Sequence, residues 1–138
     1  MPTQTPDLVD ALRRVPLLSD VSGRDLERLA RGLTERTFPP GTVIVQQGKS
    51  GAGFWILLEG NASVEIDGDE KNALGPGDWL GEIALIDDGP RSATVTAKDE
   101  VRAAGMTAWQ FKPFVLEHPE VAWQLLQTLA GHLREARK

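Results

Sequence analysis

The stretch Gly81–Ala97 reads GEIALIDDGPRSATVTA, and the rest of the chain is organised around it. A Gly-Glu pair precedes a short apolar run, and an acidic turn then leads to Arg91 and an alternating strand. The start of a short helix presents unpaired backbone N–H groups that favour an anion, and a guanidinium offers a planar set of donors suited to phosphate. Glu82 accepts hydrogen bonds when ionised, which suits hydroxyl groups. Together these features predict a site for a sugar phosphate.

Composition restricts the classes of protein to consider. The chain has 138 residues, of which 41% are hydrophobic and 25% are charged, as in an ordinary globular protein with one domain. It contains no cysteine, which excludes disulfides, thiol catalysis and cysteine-ligated metal centres. The histidines, His118 and His132, both lie near the C-terminus, and no nucleophile–base pair accompanies the predicted site. We therefore expect no catalytic residues, no metal site, no cofactor and no enzymatic activity.

Charge and hydropathy bear on the partners and the location of the chain. The formal net charge of −5 disfavours direct binding to DNA. No apolar run approaches the roughly 18 residues that a membrane span needs, and the N-terminus lacks the pattern of a signal peptide. We therefore expect a cytoplasmic location and no membrane contact.

Periodicity divides the chain, residues 1–138, into parts of one domain. Residues 1–6 are expected to be frayed, 7–33 to form N-terminal helices and 107–138 to form C-terminal helices. Residues 34–106 read as short strands about ten residues apart and separated by tight turns, a pattern typical of a sandwich or barrel. The predicted strands include Ala62–Ile66 and Val101–Met106. The fold class is therefore mainly β with flanking helices.

The helix boundaries carry recognisable signals. Ser22 with Asp25, and Thr107 with Gln110, resemble capping boxes. Pro113 lies past the first turn of the helix that Thr107 begins, so we expect that turn to be distorted. Apolar residues form one continuous stripe along the last helix: Ala122, Leu125, Leu126, Leu129 and Leu133. This stripe either packs on the chain's own barrel or forms a homodimer.

Two tryptophans fall in predicted strands. We expect Trp55 and Trp79 to pack in the core or at its rim.

The stretch at residues 81–97 resembles the phosphate-binding cassette of cyclic nucleotide-binding domains. That family shows the pattern F-G-E-aliphatic-A-L, a variable loop, then P-R-(S/A/T)-A-(T/S)-V. The matching positions here are Gly81, Glu82, Ala84, Leu85, Pro90, Arg91, Ser92, Ala93, Thr94 and Val95. Leu80 departs from the pattern, since it stands where the family usually has phenylalanine. Residues 38–64, FPPGTVIVQQGKSGAGFWILLEGNASV, extend the resemblance, which covers roughly residues 16–135.

The resemblance implies a jelly-roll-like β-roll with N-terminal helices, a cassette at residues 81–93 and a C-terminal helical lid. In such a site Glu82 would bind the ribose 2′-hydroxyl, and Arg91 would bind the cyclic phosphate. The backbone N–H of Ala84 and the hydroxyl of Ser92 would complete the phosphate contacts. The ligand-binding residues implied are Gly81, Glu82, Ile83, Ala84, Arg91, Ser92 and Ala93.

The resemblance favours cyclic AMP as the ligand and leaves cyclic GMP open. Threonine at position 92 is typical of guanine binders and alanine of adenine binders, and Ser92 is intermediate. In the bacterial catabolite activator a threonine of the last helix contacts adenine, and that position falls near Ala136 here. Because Ala136 has no hydroxyl, Trp123, Arg134 or Arg137 would have to take its place.

The function that the resemblance implies is that of a receptor or regulatory domain, which signals to an unidentified protein effector by repositioning its last helix. No output domain precedes the end of the sequence at Lys138, so we expect either a stand-alone domain or a fragment of something longer. One alternative is a degenerate member of the family that serves as an interaction or dimerisation module. A metal-dependent cupin-like barrel is a second, which the lack of histidine before His118 disfavours.

Overall fold

The computed structural model describes residues 5–48, 53–80 and 93–136. In these residues two helices precede eight strands and two helices follow them, which confirms the predicted class. A 3-10 turn at Pro16–Leu18 joins the first two helices. The helices are α1 (Thr5–Arg13), α2 (Gly23–Gly32), α3 (Ala108–Glu117) and α4 (Pro119–Ala136). The strands are β1 (Thr34–Phe38), β2 (Val43–Val45), β3 (Phe54–Glu59), β4 (Ala62–Ile66), β5 (Asp69–Leu74), β6 (Trp79–Leu80), β7 (Thr94–Ala97) and β8 (Val101–Met106).

The strands form two antiparallel sheets of four strands each. The order is β1-β8-β3-β6 in the first sheet and β2-β7-β4-β5 in the second. One face of each sheet contributes to a shared core, because apolar side chains from both sheets pack in one buried cluster. Its buried members are Phe38, Leu57, Leu80, Val101 and Ala103 from the first sheet, with Ala62, Val95 and Ala97 from the second.

The opposite face of the first sheet is covered by all four helices. Ile56 and Ala104 alternate with Leu57 and Ala103 along their strands, so they point to the other side of the sheet. There they join a second buried cluster with helical side chains. Its helical members include Leu8, Leu12 and Leu26 from the N-terminal helices and Phe111, Val121 and Leu125 from the C-terminal helices. The two ends of the chain therefore share one core.

The tryptophans of the strands pack as the sequence predicts. Trp55 lies opposite Gly105 of β8, and a Cβ built on Gly105 would come within 2.6 Å of the Trp55 ring. The glycine therefore leaves room for the indole to lie across the neighbouring strand, where its centroid is 5.5 Å from the ring of Phe38. Trp79 stacks on Phe54 with their ring centroids 5.8 Å apart.

Two expectations about the helices are wrong. Helix α1 begins at Thr5, inside the stretch expected to be frayed, where Thr5 and Pro6 are residue types suited to a helix start. The first turn of α3 is regular despite Pro113. Its capping box is complete, since Gln110 N donates to Thr107 Oγ1 at 3.3 Å and Thr107 N donates to Gln110 Oε1 at 2.9 Å. These bonds fix the turn before the proline is reached.

The cap of α2 is simpler. Ser22 Oγ accepts a hydrogen bond from Asp25 N at 3.2 Å, which is the first half of the capping box that the sequence suggests.

Over the described ranges, no helix combines the length and the apolar character that crossing a membrane requires.

Candidate functional site

The predicted cassette falls largely on residues 81–92, which lie outside the described residues. This applies to all of the predicted ligand-binding residues except Ala93: Gly81, Glu82, Ile83, Ala84, Arg91 and Ser92. Ala93 is half-buried and forms a bend directly before β7. The structure therefore defines the frame that holds the two ends of the cassette, and the roles of its residues stay predictions.

The chain enters the cassette from the first sheet. Strand β6 pairs with β3, so that Leu80 lies opposite Trp55 and Trp79 lies opposite Ile56. Leu80 is 6% exposed and belongs to the cluster between the sheets. The leucine at this position, where the family usually has phenylalanine, thus keeps a buried apolar anchor at the cassette's first end.

The chain leaves the cassette into the second sheet. Strand β7 lies between β2 and β4 and pairs with both. Val95 and Ala97 are buried, whereas Thr94 and Thr96 on the other face are half-buried. Residues 81–92 thus join an outer strand of one sheet to an inner strand of the other, and a well-packed element holds each end.

The far end of β7 is tied to the turn between β3 and β4. Asn61 N donates to Asp99 Oδ1 at 2.6 Å, Asn61 Nδ2 donates to Asp99 Oδ2 at 3.2 Å, and Lys98 N donates to Asn61 O at 2.8 Å. The hydrogen bonds from Asn61 lower the pKa of the Asp99 carboxyl, because they favour its ionised form. Asp99 is therefore a carboxylate acceptor at neutral pH.

The described residues offer no metal centre. Over residues 5–48, 53–80 and 93–136, no three or more histidine, aspartate or glutamate side chains are grouped so that they could hold a metal ion. His118 ends α3 and its Nδ1 lies 3.2 Å from Glu120 Oε1, while its ring lies 4.7 Å from that of Phe114. The contacts of His118 explain it as a residue of the helix junction.

The last helix divides its apolar residues between the core and the solvent. Val121 and Leu125 are buried, whereas Leu126 and Leu133 are 57% and 52% exposed. At about 100° per residue, Leu125 lies at one edge of the predicted stripe and Leu126 lies at the other, with the remaining members between them. The stripe is therefore continuous, and one of its edges is buried in the core while the other is exposed.

The side chains considered for contact with the base are exposed where the structure describes them. Trp123 is 63% exposed, and Arg134 is exposed near the end of α4. The side chain of Ala136 and the whole of Arg137 lie outside the described residues. Base recognition by this helix stays a prediction.

A family model described as the cyclic nucleotide-binding domain matches residues 35–118. The chain belongs to the cyclic nucleotide-binding domain family. The match spans every described strand from β2 to β8 and extends through α3. The β-roll with flanking helices that the resemblance implies is confirmed by solved structures of the same fold.

Relatives in this family are regulatory proteins. The chain is 39% identical over 126 residues to a cAMP-dependent protein kinase regulatory subunit of Yarrowia lipolytica, an alignment that covers 90% of this chain and 31% of that protein. It is 30% identical over 130 residues to a CRP-like cAMP-activated global transcriptional regulator of Mycobacterium tuberculosis, covering 91% and 58% of the two chains.

A solved structure with the same fold carries a ligand. The regulatory domain of Toxoplasma gondii PKA, co-crystallised with cAMP, matches with a TM-score of 0.80 and 28% identity over 93% of this chain and 50% of that chain. The chain spans less than two thirds of the length of the curated relatives above, 31% in one case and 58% in the other.

Proposed function

We propose that this chain is a receptor domain for a cyclic nucleotide, with cyclic AMP preferred over cyclic GMP, and that it regulates a partner without catalysing a reaction. Membership of the family is the observation that carries the proposal. The frame supports it as well, since Leu80 and Val95 anchor the two strands that flank the cassette in the core between the sheets.

In the proposed site each cassette residue has a chemical task. Arg91 pairs with the cyclic phosphate through two parallel N–H donors, and Glu82 accepts from the ribose 2′-hydroxyl. Backbone N–H groups around Ala84 and the hydroxyl of Ser92 bind the remaining phosphate oxygens. Gly81, Ile83 and Ala93 complete the lining. In a chain with a formal net charge of −5, a local cation is needed to make this place favourable to an anion.

The proposed signal is a shift in the position of α4. Its fully buried side chains among those described, Val121 and Leu125, lie in its first two turns, whereas Trp123, Leu126 and Leu133 are more than half exposed. His118, with φ −127° and ψ 78°, interrupts the helical backbone between α3 and α4. A helix anchored near one end can change its angle at little cost in buried area, and a ligand that contacts one position better shifts the population toward it.

Titration calorimetry with cyclic AMP, cyclic GMP and 5′-AMP tests the function. We expect saturable binding of cyclic AMP, weaker binding of cyclic GMP and no heat from 5′-AMP, because opening the phosphate ring adds a charge and changes the oxygen geometry that the cassette fits. Absence of cyclic nucleotide binding at sub-millimolar ligand would overturn the receptor function. Equal binding of 5′-AMP would overturn the role of the cyclic phosphate.

A second candidate function is that of an interaction or dimerisation module, alone or together with nucleotide binding. Trp123, Leu126 and Leu133 lie within one third of the circumference of α4, and each is more than half exposed. On α3, Trp109 and Leu116 are 89% and 70% exposed. Apolar surface concentrated on one layer is typical of a contact with another protein. A second copy of the chain or a protein effector would cover it.

Analytical ultracentrifugation distinguishes these occupants. We expect wild type to form a concentration-dependent dimer and Leu126→Glu to sediment as a monomer, because the substitution places a charge in an apolar contact. Gln124→Glu, which introduces the same charge on the side of α4 away from Leu126, is the control and should dimerise like wild type. A wild-type chain that sediments as a monomer at every concentration would exclude the second copy and leave an effector as the occupant.

A further inference from the structure

One residue, Gln47, makes contacts with its backbone and its side chain at the end of β7 that adjoins the cassette. Strand β7 lies between β2 and β4, Gln47 lies two residues after the end of β2, and Asp67 directly follows β4. Thr94 is the first residue of β7. The backbone pairing of β7 ends at Val95 on the β2 side and at Thr94 on the β4 side, so any contact beyond these points depends on side chains.

Three hydrogen bonds of Gln47 supply those contacts. Gln47 N donates to Thr94 Oγ1 at 2.9 Å. Its side-chain amide uses both ends on Asp67, since Gln47 Nε2 donates to Asp67 Oδ1 at 3.0 Å and Asp67 N donates to Gln47 Oε1 at 2.8 Å. The amide therefore joins the two strands that flank β7, and its backbone holds the first residue of β7 between them.

Two turns place Gln47 and Asp67 so that they can form these hydrogen bonds. Asp67 has φ 55° and Gly68 has φ 87°, which makes a two-residue turn between β4 and β5. Positive φ is unfavourable for a residue with a side chain, so the two hydrogen bonds between the Gln47 amide and Asp67 offset a backbone strain. Gly48, with φ 81°, turns the chain directly after Gln47.

We propose that Gln47 is a positioning residue for cyclic nucleotide binding. Thr94 follows Arg91 by three residues, a reach of at most about 10 Å along an extended chain. By fixing Thr94, Gln47 fixes the second end of the cassette, from which Arg91 and Ser92 would reach the phosphate in the proposed site, and it links that end to the turn at Asp67. The inference rests on the proposed receptor function.

Calorimetric titration with cyclic AMP, together with thermal unfolding, tests the inference. Gln47→Ala should lower the affinity about 5- to 20-fold, since the loss of the amide removes both of its hydrogen bonds to Asp67 and loosens the one between Gln47 N and Thr94 Oγ1. Thr94→Val removes only the acceptor oxygen and should lower the affinity in the same direction, whereas Thr94→Ser should retain it. Asp99→Ala is the matched control, because it breaks hydrogen bonds at the other end of β7. It should lower the melting temperature and leave the affinity within about twofold.

Exchanging the hydrogen-bond donor and acceptor between positions 47 and 67 offers a way to restore binding in a double variant. Gln47→Glu sets a carboxylate against Asp67 and should weaken binding, whereas adding Asp67→Asn supplies an amide donor and should restore it. Asp67→Asn alone keeps the acceptor oxygen for Gln47 and should bind like wild type. If the bridge matters only for stability, the double variant will regain the melting temperature of wild type, but the affinity for cyclic AMP will not change in parallel among these variants.

The outcomes separate this inference from the function on which it rests. If wild type does not bind cyclic AMP or cyclic GMP, both are overturned. If wild type binds and Gln47→Ala binds equally well, only the positioning role of Gln47 is overturned. The same holds if Asp99→Ala weakens binding as much as Gln47→Ala, since the effect would then follow the general stability of the sheet.

Discussion

Arg91→Ala is expected to bind cyclic AMP at least about 10- to 150-fold more weakly than wild type, the equivalent of roughly 1.5–3 kcal/mol for hydrogen bonds to a charged group. The substitution removes the guanidinium that we propose to pair with the cyclic phosphate, and no other cation lies between residues 72 and 97 of the sequence. Arg91→Lys keeps the charge but loses the planar pair of donors, so its affinity should be intermediate. Isothermal titration calorimetry measures all three proteins directly.

Arg36→Ala is the control for this experiment. Arg36 is exposed on β1, with its guanidinium carbon 5.1 Å from the centre of the Phe38 ring. Its loss changes the formal net charge by the same unit as the loss of Arg91. If Arg36→Ala weakens binding as much as Arg91→Ala, the effect is one of overall charge and not of a phosphate contact. Wild-type affinity in Arg91→Ala would contradict the proposed site itself.

Gly60→Ala is expected to lower the free energy of unfolding by roughly 3 kcal/mol or more, the sum of a backbone and a packing penalty. Gly60 has φ 87°, and a Cβ at this position would lie 2.1 Å from Glu100 O and 2.9 Å from Asp99 Oδ1. Because the nearer atom belongs to the backbone, the turn between β7 and β8 would have to move. That movement would also break the bonds from Asn61 to Asp99. Urea unfolding followed by circular dichroism measures the loss.

Gly41→Ala separates the two penalties. Gly41 has φ 84°, and nothing lies within 4 Å of a Cβ built there. It therefore incurs the backbone cost alone, about 1–2 kcal/mol, and should be clearly more stable than Gly60→Ala. Equal losses in the two variants would mean that the close approach to Glu100 carries no energy. With a typical domain stability of about 5–15 kcal/mol, the loss at Gly60 would remove a large share.

Local patterns in the sequence were sufficient to predict several elements. Strands Ala62–Ile66 and Val101–Met106 coincide with the predicted segments, because apolar and β-branched residues are bounded there by turn residues. The capping box of α3 was also predicted, since it depends on residues three positions apart. Patterns of this kind depend on neighbours in the sequence.

The arrangement of the strands could not be predicted in the same way. Thr34 pairs with Gly105, and Val43 pairs with Thr96, so the partners are far apart along the chain. Hydrophobic alternation marks a strand but does not name its neighbour. The chemistry of the cassette depends on a short continuous stretch and was proposed from residue types, whereas the bridge at Gln47 joins residues 20 and 47 positions away and has no local pattern.

The apolar face of α4 shows a second limit of what can be predicted from the sequence. The sequence identifies Leu125 and Leu126 as apolar and places them at opposite edges of one stripe, but only the packed structure shows that Leu125 is the one buried in the cluster that the helices share with the first sheet. Leu126 and Leu133 are exposed in the single chain, and the contact that we propose for them requires a second molecule. No pattern within one chain specifies that molecule.

The shared core of the terminal helices has a consequence for fusion architecture. Leu8 and Leu12, near the start of the chain, belong to the same cluster as Val121 and Leu125, near its end. A module joined to the N-terminus would therefore attach beside this helical layer, and a module joined to the C-terminus would attach to it through the last turns of α4. If the chain is the receptor that we propose, a rearrangement of the layer would reach both attachments, so that one receptor could control modules joined at either end.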